Sequence, residues 1–298
     1  MVSIFSSQDA SEKLHQLGGE YNKQMKTIKF SDNTELCSLG QGTWNMGRNP
    51  LKRKQETEAL LTGIDLGMKM IDTAEMYANE EFIGKAIDGI RDKVFLVSKV
   101  LPENASVDGT IRACENSLRK LHTDRLDLYL LHWKGSHPFE DTIEALTRLQ
   151  REGKILRWGV SNIDVPDMEK IVAMPDGAAC EANQVLYNLG ERGVEFDLIP
   201  WSQSYQMPVI AYSPIAEGRL LRNPVLLKIA EKHDATPAQI ALAWTIRLDG
   251  VMAIPKASSS AHVIDNFKAL DIIFDEEDLH ALDATIPPPT KRIPLAGW

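Results

Sequence analysis

Asp72, Tyr77, Lys99 and His132 bring a carboxylate, a phenol, an amine and an imidazole to the polar ends of short apolar runs. Asp72 and Tyr77 fall in Met70-Ile-Asp-Thr-Ala-Glu-Met-Tyr77. Lys99 closes Val94-Phe-Leu-Val-Ser-Lys99, and His132 closes Leu126-Asp-Leu-Tyr-Leu-Leu-His132. Such a set suits proton donation to a carbonyl. A free tyrosine, with a pKa of about 10, is a weak acid near neutrality. An ammonium about 4 Å away, at an effective dielectric near 20, is worth roughly 4 kcal/mol, or about three pKa units downward. Lys99 would supply that ammonium, and Asp72 would keep it charged and oriented. His132 would hydrogen-bond the substrate oxygen or relay the proton. None of the four is an activated nucleophile or an electron source. A reduction therefore needs an external hydride donor, which points to a nicotinamide cofactor. Taken singly, each residue has a plainer account: a helix cap, a packing ring, a snorkelling amine, a core histidine. Their joint placement at successive strand exits argues for chemistry.

The elements that must position them recur evenly. Strand-like runs fall near 38–42, 69–72, 94–99, 126–132, 155–161, 181–184, 208–212 and 251–255. Helical patterns lie between them, as in Ile111, Cys114, Leu118 and Leu121, or Ile143, Leu146 and Leu149. Thr236-Pro-Ala-Gln239 reads as a capping box, and Asp164 and Asp275 as further N-caps. Thr27–Phe30 and Thr34–Leu36 flank a turn cluster and predict a short N-terminal β-hairpin. Eight strands alternating with helices predict an α/β fold, a (β/α)8 TIM barrel whose strand C-termini share one face. A doubly wound sheet fits less well. Its G-x-G-x-x-G fingerprint would need glycine where Gly40-x-Gly42-x-x-Asn45 has asparagine. Residues 1–24 read as a polar N-terminal extension, and 25–298 as a single barrel domain with a C-terminal tail. For the proline-rich tail, folding over the barrel mouth and disorder are both open.

The net charge of −9 argues against nucleic acid or an anionic membrane as partner. Cys37, Cys114 and Cys180 are odd in number and widely spaced, so neither a disulfide framework nor a zinc site is expected. No apolar run approaches the ~20 residues of a membrane span, and no secretory signal is evident, so the expected location is cytoplasmic.

The motifs resemble the aldo-keto reductases. The match runs through Asp72-Thr-Ala-x-x-Tyr77, Asn79 to Gly84, Ser98-Lys99 and Leu126 to Trp133. It continues through Gly153-Lys-Ile155, Trp158 to Asn162, Asn183-Gln184, Ala211 to Pro214 and Ile254-Pro-Lys256. It covers essentially residues 26–285, and it is nearest to bacterial members that reduce methylglyoxal or diketogluconate. The resemblance implies a barrel, Tyr77 as general acid with Lys99 and Asp72 as its tuning pair, and His132 as partner of the substrate oxygen. It implies an extended NADPH, with Ser161, Asn162 and Gln184 on the carboxamide and Tyr212 stacked on the nicotinamide. Ser213, Pro214, Ile215 and Ala216 would follow the pyrophosphate, and Gly42, Thr43 and Trp44 would line the nicotinamide and substrate side. A small carbonyl substrate and a monomer are further implications.

The segment after Ile254 departs from the family pattern. Lys256 is kept, but Ala257 stands for a serine, His262 for an arginine and Asp265 for a glutamate; Ser258 and Asn266 complete the stretch. A neutral histidine cannot reproduce the bidentate grip of arginine on a phosphate. The preference for NADPH over NADH is therefore expected to be weaker than usual. Trp44 and Trp133, with Met46 and Leu101, are the candidate substrate walls. Two alternatives remain: a Schiff-base aldolase using Lys99, and a non-catalytic cofactor-binding regulatory subunit.

Overall fold

Every second residue of eight short strands points to a common axis, and this alternation builds both the core and the site. The computed structural model describes residues 25–296, so the expectation for residues 1–24 lies outside the described residues. The strands are β3 (Gln41–Gly42), β4 (Met70–Asp72), β5 (Phe95–Val100), β6 (Leu128–Leu131), β7 (Trp158–Ser161), β8 (Cys180–Leu186), β9 (Val209–Tyr212) and β10 (Val251–Ala253). They pair in parallel and in sequence order. A parallel bridge between Leu39 and Ala253, with Gly40 N–H on the Ala253 carbonyl at 2.8 Å, joins the first strand to the last. The result is the expected (β/α)8 barrel.

Met70, Phe95, Val97, Leu128, Leu130, Ala182, Ile210 and Met252 fill the interior as one apolar cluster. Gly159 is the small member of the packing. A Cβ there would stand 2.5 Å from the Ala182 carbonyl and 3.0 Å from Leu130. The intervening residues, among them Ile71, Leu96, Tyr129, Val160 and Ala211, face the helices in a second cluster. Those helices are α1 (Arg53–Asp65), α2 (Glu80–Ala86), α3 (Val107–Leu121), α4 (Phe139–Arg151), α5 (Val165–Ala173), α6 (Leu198–Ser204), α7 (Pro224–Lys232), α8 (Pro237–Thr245), α9 (Ser260–Phe267) and α10 (Glu276–Thr285).

Their ends follow capping chemistry. Ser106 accepts from Gly109 N–H at the start of α3, which ends at His122 in the left-handed region. Asp164 caps α5, and Thr236–Gln239 and Asp275–Asp278 form complete capping boxes on α8 and α10. Cys114 is buried on the inner stripe of α3, and all three cysteines are free thiols. No helix among the described residues is long and apolar enough to cross a membrane.

The hairpin of β1 (Thr27–Lys29) and β2 (Glu35–Cys37) closes the end of the barrel where the strands begin. Ile28, Phe30 and Leu36 join the interior cluster. Phe30 stacks on Phe95 at 5.1 Å, and the Arg157 guanidinium lies over both rings. Arg157 also donates to Asp32 and, at 2.6 Å, to Thr34 Oγ1. At the other end, the described part of the tail, up to residue 296, takes neither of the two placements left open. It packs along the loop after β8: Arg192 donates to the Ile286 carbonyl, Arg292 pairs with Asp197, and Ile293 lies against Gly193. This puts it on the rim, and none of its described residues lines the central cleft.

Candidate active site

The last inward-facing positions of successive strands are Asp72 on β4, Lys99 on β5, Ser161 on β7, Gln184 on β8 and Tyr212 on β9, with His132 just past β6. Residues of one parity fill the barrel with hydrocarbon below and present polar groups at its top. These ends open on a cleft of about 740 Å³.

Lys99 is its hub. The fully buried ammonium donates to Asp72 Oδ1 at 2.7 Å and to the Thr73 carbonyl at 2.8 Å, and lies 3.3 Å from the Tyr77 hydroxyl. Burial opposes its charge, but Asp72 and then Tyr77 more than offset that, and its pKa is raised. A protonated amine held by these partners has no lone pair for a carbonyl, which disfavours the Schiff-base alternative.

Tyr77 corrects an expectation. Its pKa is raised, not lowered: burial contributes most, the Lys99 charge opposes it, and Asp72 adds to the rise. The reason is that Lys99 acts as half of an ion pair. Its field at the phenol is partly cancelled by Asp72, while the low-dielectric site penalises a phenolate.

His132 sits 5.9 Å from Tyr77, ring to ring and edge-on. Burial, then the Lys99 charge, pushes its pKa down to about 3. It is a neutral imidazole near pH 7, carrying a single N–H. Its Nδ1 is buried with no hydrogen-bond partner among the described residues.

The tyrosine is delivered by a short 3-10 turn, Glu75–Tyr77. Glu75 accepts from Leu101 N–H at 2.5 Å and from Asn104 at 3.1 Å, fixing the turn to the loop after β5. Buried Asn79 receives the Thr73 hydroxyl at 2.7 Å and donates to the Thr43 carbonyl at 2.8 Å, tying the loops after β3 and β4 together. Sequence reasoning gave Glu75 and Asn79 no role. Asn79 stands inside the motif that carried the resemblance, which was the available signal; Glu75 falls on one of its unspecified positions.

Of the candidate ligand-binding residues, Gly42, Thr43, Trp44, Ser161, Asn162, Gln184, Tyr212, Ser213, Pro214, Ile215, Ile254 and Lys256 line the cleft. Asn162 bridges its two sides, receiving the Tyr212 hydroxyl at 2.9 Å and donating to the His132 carbonyl at 3.2 Å. Gln184 commits its amide N–H to Asp72 Oδ2 at 2.7 Å, which leaves its Oε1 as the available acceptor. Ala216 is buried instead, and Glu217, at φ 54°, takes the lining position.

Ala257, Ser258, His262, Asp265 and Asn266 do not line the cleft; they continue outward from Lys256 on to α9. Lys256 is exposed and donates to Ser258, and His262 is exposed on the first turn. Asp265 is already engaged by Gln239 Nε2 at 2.8 Å and by the Thr236 hydroxyl at 3.2 Å, and Asn266 is buried.

Trp44 and Trp133 line the cleft. Met46 is a core side chain with no exposure, and Leu101 does not line the cleft; Met76 and Asn45 do. The loop after β3 turns at Asn45 (φ 66°), which sends Met46 inward.

The cleft thus combines aromatic walls with amide and hydroxyl groups able to donate and accept, and a lone lysine at its outer end. This donor set fits a flat amide-bearing ring with an anionic tail. The model of the Aldo/keto reductase family matches residues 38–287. The chain belongs to this family. It is 51% identical over 280 residues to the methylglyoxal reductase YeaE of Escherichia coli (strain K12), covering 91% of this chain and 99% of that protein. It is 34% identical over 261 residues to the glyoxal reductase of Bacillus subtilis (strain 168), covering 87% and 92%. An aldo-keto reductase from Klebsiella pneumoniae, solved in complex with NADPH, superposes with a TM-score of 0.90 at 48% identity, covering 93% of this chain and 100% of that one. Within an aldo/keto reductase, three of the four strand-exit groups, Asp72, Lys99 and Tyr77, form one hydrogen-bonded cluster, and the His132 imidazole adjoins it.

Proposed function

We propose that this aldo/keto reductase reduces small aldehydes and ketoaldehydes, methylglyoxal among them, using NADPH. The observation that carries this reading is the Lys99 ammonium seated between the Asp72 carboxylate and the Tyr77 hydroxyl beneath a cleft with aromatic walls. The names of the two similar reductases, and the NADPH of the Klebsiella protein, support the same reading.

NADPH, when bound, supplies the hydride to the carbonyl carbon. The protein's part is the proton and the geometry. Tyr77 donates its hydroxyl proton to the carbonyl oxygen, and Lys99, 3.3 Å away, stabilises the charge left on the phenol oxygen. Its raised pKa keeps Tyr77 protonated across the neutral range. His132, neutral, offers an N–H to the same oxygen, which polarises the carbonyl without competing for the proton. Ser161, Asn162 and the free Gln184 Oε1 would hold the carboxamide, and Tyr212 would cover one ring face. Lys256, Ser258 and the start of α9 would meet phosphate, with weaker preference for NADPH over NADH where His262 replaces arginine.

The test is a panel of small carbonyls with NADPH and NADH, run on the parent and on Tyr77→Phe. Turnover in the variant should drop by roughly 10²–10⁴-fold. Near-parent turnover would show that the proton comes from elsewhere.

A further inference from the structure

Arg48 stands where the aromatic wall meets solvent. Its guanidinium carbon lies 5.1 Å from the centre of the Trp44 ring, and Trp44 meets the Tyr77 ring edge-on at 4.8 Å. These contacts hold the cation within about 10 Å of the reacting phenol ring. Arg48 is exposed, and no acidic side chain pairs with it among the described residues.

The loop that presents it is firmly tied. Asn45 and Gly47 hold positive φ angles of 66° and 76°. Glu56, buried on α1, accepts Gly47 N–H at 2.8 Å, and Arg53 Nε donates to the Gly47 carbonyl at 2.8 Å. A Cβ at Gly47 would stand 2.6 Å from the Phe82 ring.

The surrounding charge is unusual for this chain. Arg48, Lys52, Arg53 and Lys54 occur with no acid among them, in a protein of net charge −9. Lys52 to Lys54 open α1, where cations oppose the helix dipole, and no side chain caps that end. Lys54 lies 4.0 Å from Glu58 and Arg53 is held by the Gly47 carbonyl, whereas Arg48 has no such partner among the described residues.

We propose that Arg48 sets substrate choice, favouring carbonyls that carry a carboxylate a few carbons from the C=O over neutral carbonyls of equal size. The proposal rests on the reading of Tyr77 as proton donor. In a four-carbon oxo acid the carbonyl and carboxylate are about 4–5 Å apart. With a hydrogen bond of about 2.8 Å at each end, its reach of about 10 Å matches the upper limit that the two ring contacts set between the guanidinium and the Tyr77 ring. A guanidinium stacked on an indole keeps its N–H edge free for a carboxylate.

Kinetics of the full chain with NADPH on succinic semialdehyde and on butanal test it. Arg48→Met should lower the acid-to-neutral ratio of kcat/KM about tenfold, through KM more than kcat, and Arg48→Lys should restore part of it. In the parent, kcat/KM for the acid should fall as salt rises from roughly 20 to roughly 300 mM, while that for butanal should not. Equal loss on both substrates, an unmoved ratio, or a raised KM for NADPH alone would overturn it. If the parent reduces butanal and the ratio is unmoved, only the Arg48 proposal falls. If the parent reduces neither these nor methylglyoxal, the reading of the Tyr77 site falls first.

Discussion

Gln184 donates its side-chain amide to Asp72 across the barrel, from β8 to β4, at 2.7 Å. The bond takes the carboxylate oxygen that Lys99 leaves free, so both oxygens of a buried carboxylate are satisfied. Gln184→Leu removes that donor and leaves a buried acceptor unpaired, which costs about 1–3 kcal/mol. Urea denaturation should show the loss. Turnover should fall as well, because Asp72 orients Lys99. Unchanged stability would mean that the bond contributes nothing in solution.

Acid stability should report His132. In the folded chain it titrates near 3, against 6.5 for an ordinary histidine. Between those values the unfolded chain binds a proton that the folded chain refuses. Its contribution to stability is therefore complete above pH 6.5 and is lost as pH falls toward 3. His132→Gln should narrow the stability difference between about pH 7 and about pH 4.5. The pH profile of kcat/KM should show no limb near neutrality from this residue.

The rim behind the tail depends on a partly buried charge cluster. Glu195 accepts from the Tyr187 hydroxyl at 2.6 Å, from Arg247 at 2.7 Å and from Arg192 at 2.8 Å, while Arg192 also pairs with Asp283 on α10. Both guanidiniums lie over Trp244. Glu195→Gln keeps the shape but leaves two cations side by side with one fewer charge to balance them. The expected loss is roughly 3–5 kcal/mol by chemical denaturation. A loss below about 1 kcal/mol would place the cluster with solvated surface pairs.

His262→Arg should tighten NADPH relative to NADH by about tenfold, near 1.4 kcal/mol, because a planar fork of N–H donors replaces an imidazole at the start of α9. Fluorescence titration of both cofactors measures it. An equal gain for both would place the new charge away from the extra phosphate.

Much of this was legible in the sequence because strands and motifs are local. The runs ending at Asp72, Lys99 and His132 lie on neighbouring strands, so their order along the chain carries over into space. What escaped depends on surroundings. The pKa of Tyr77 is set by burial and by a second charge behind Lys99, and neither can be read from residue type. Met46 and Trp44 lie two residues apart, yet a positive-φ asparagine sends one to the core and leaves the other in the cleft. Asp265 matches a ligand position by alignment of motifs, but Gln239 from α8 already holds it.

The hairpin that plugs the barrel has a consequence for biosynthesis. Phe30 leaves the ribosome long before Phe95, on which it stacks, and before Arg157, which covers both rings. Its apolar face must wait for the third barrel strand to be made and its covering cation for the fifth, and closure waits longer still, for the bridge between Leu39 and Ala253. Contacts this distant in sequence raise the contact order, which slows folding. A chaperone that shields Ile28, Phe30 and Leu36 on the nascent chain would act on the segment with the longest exposure.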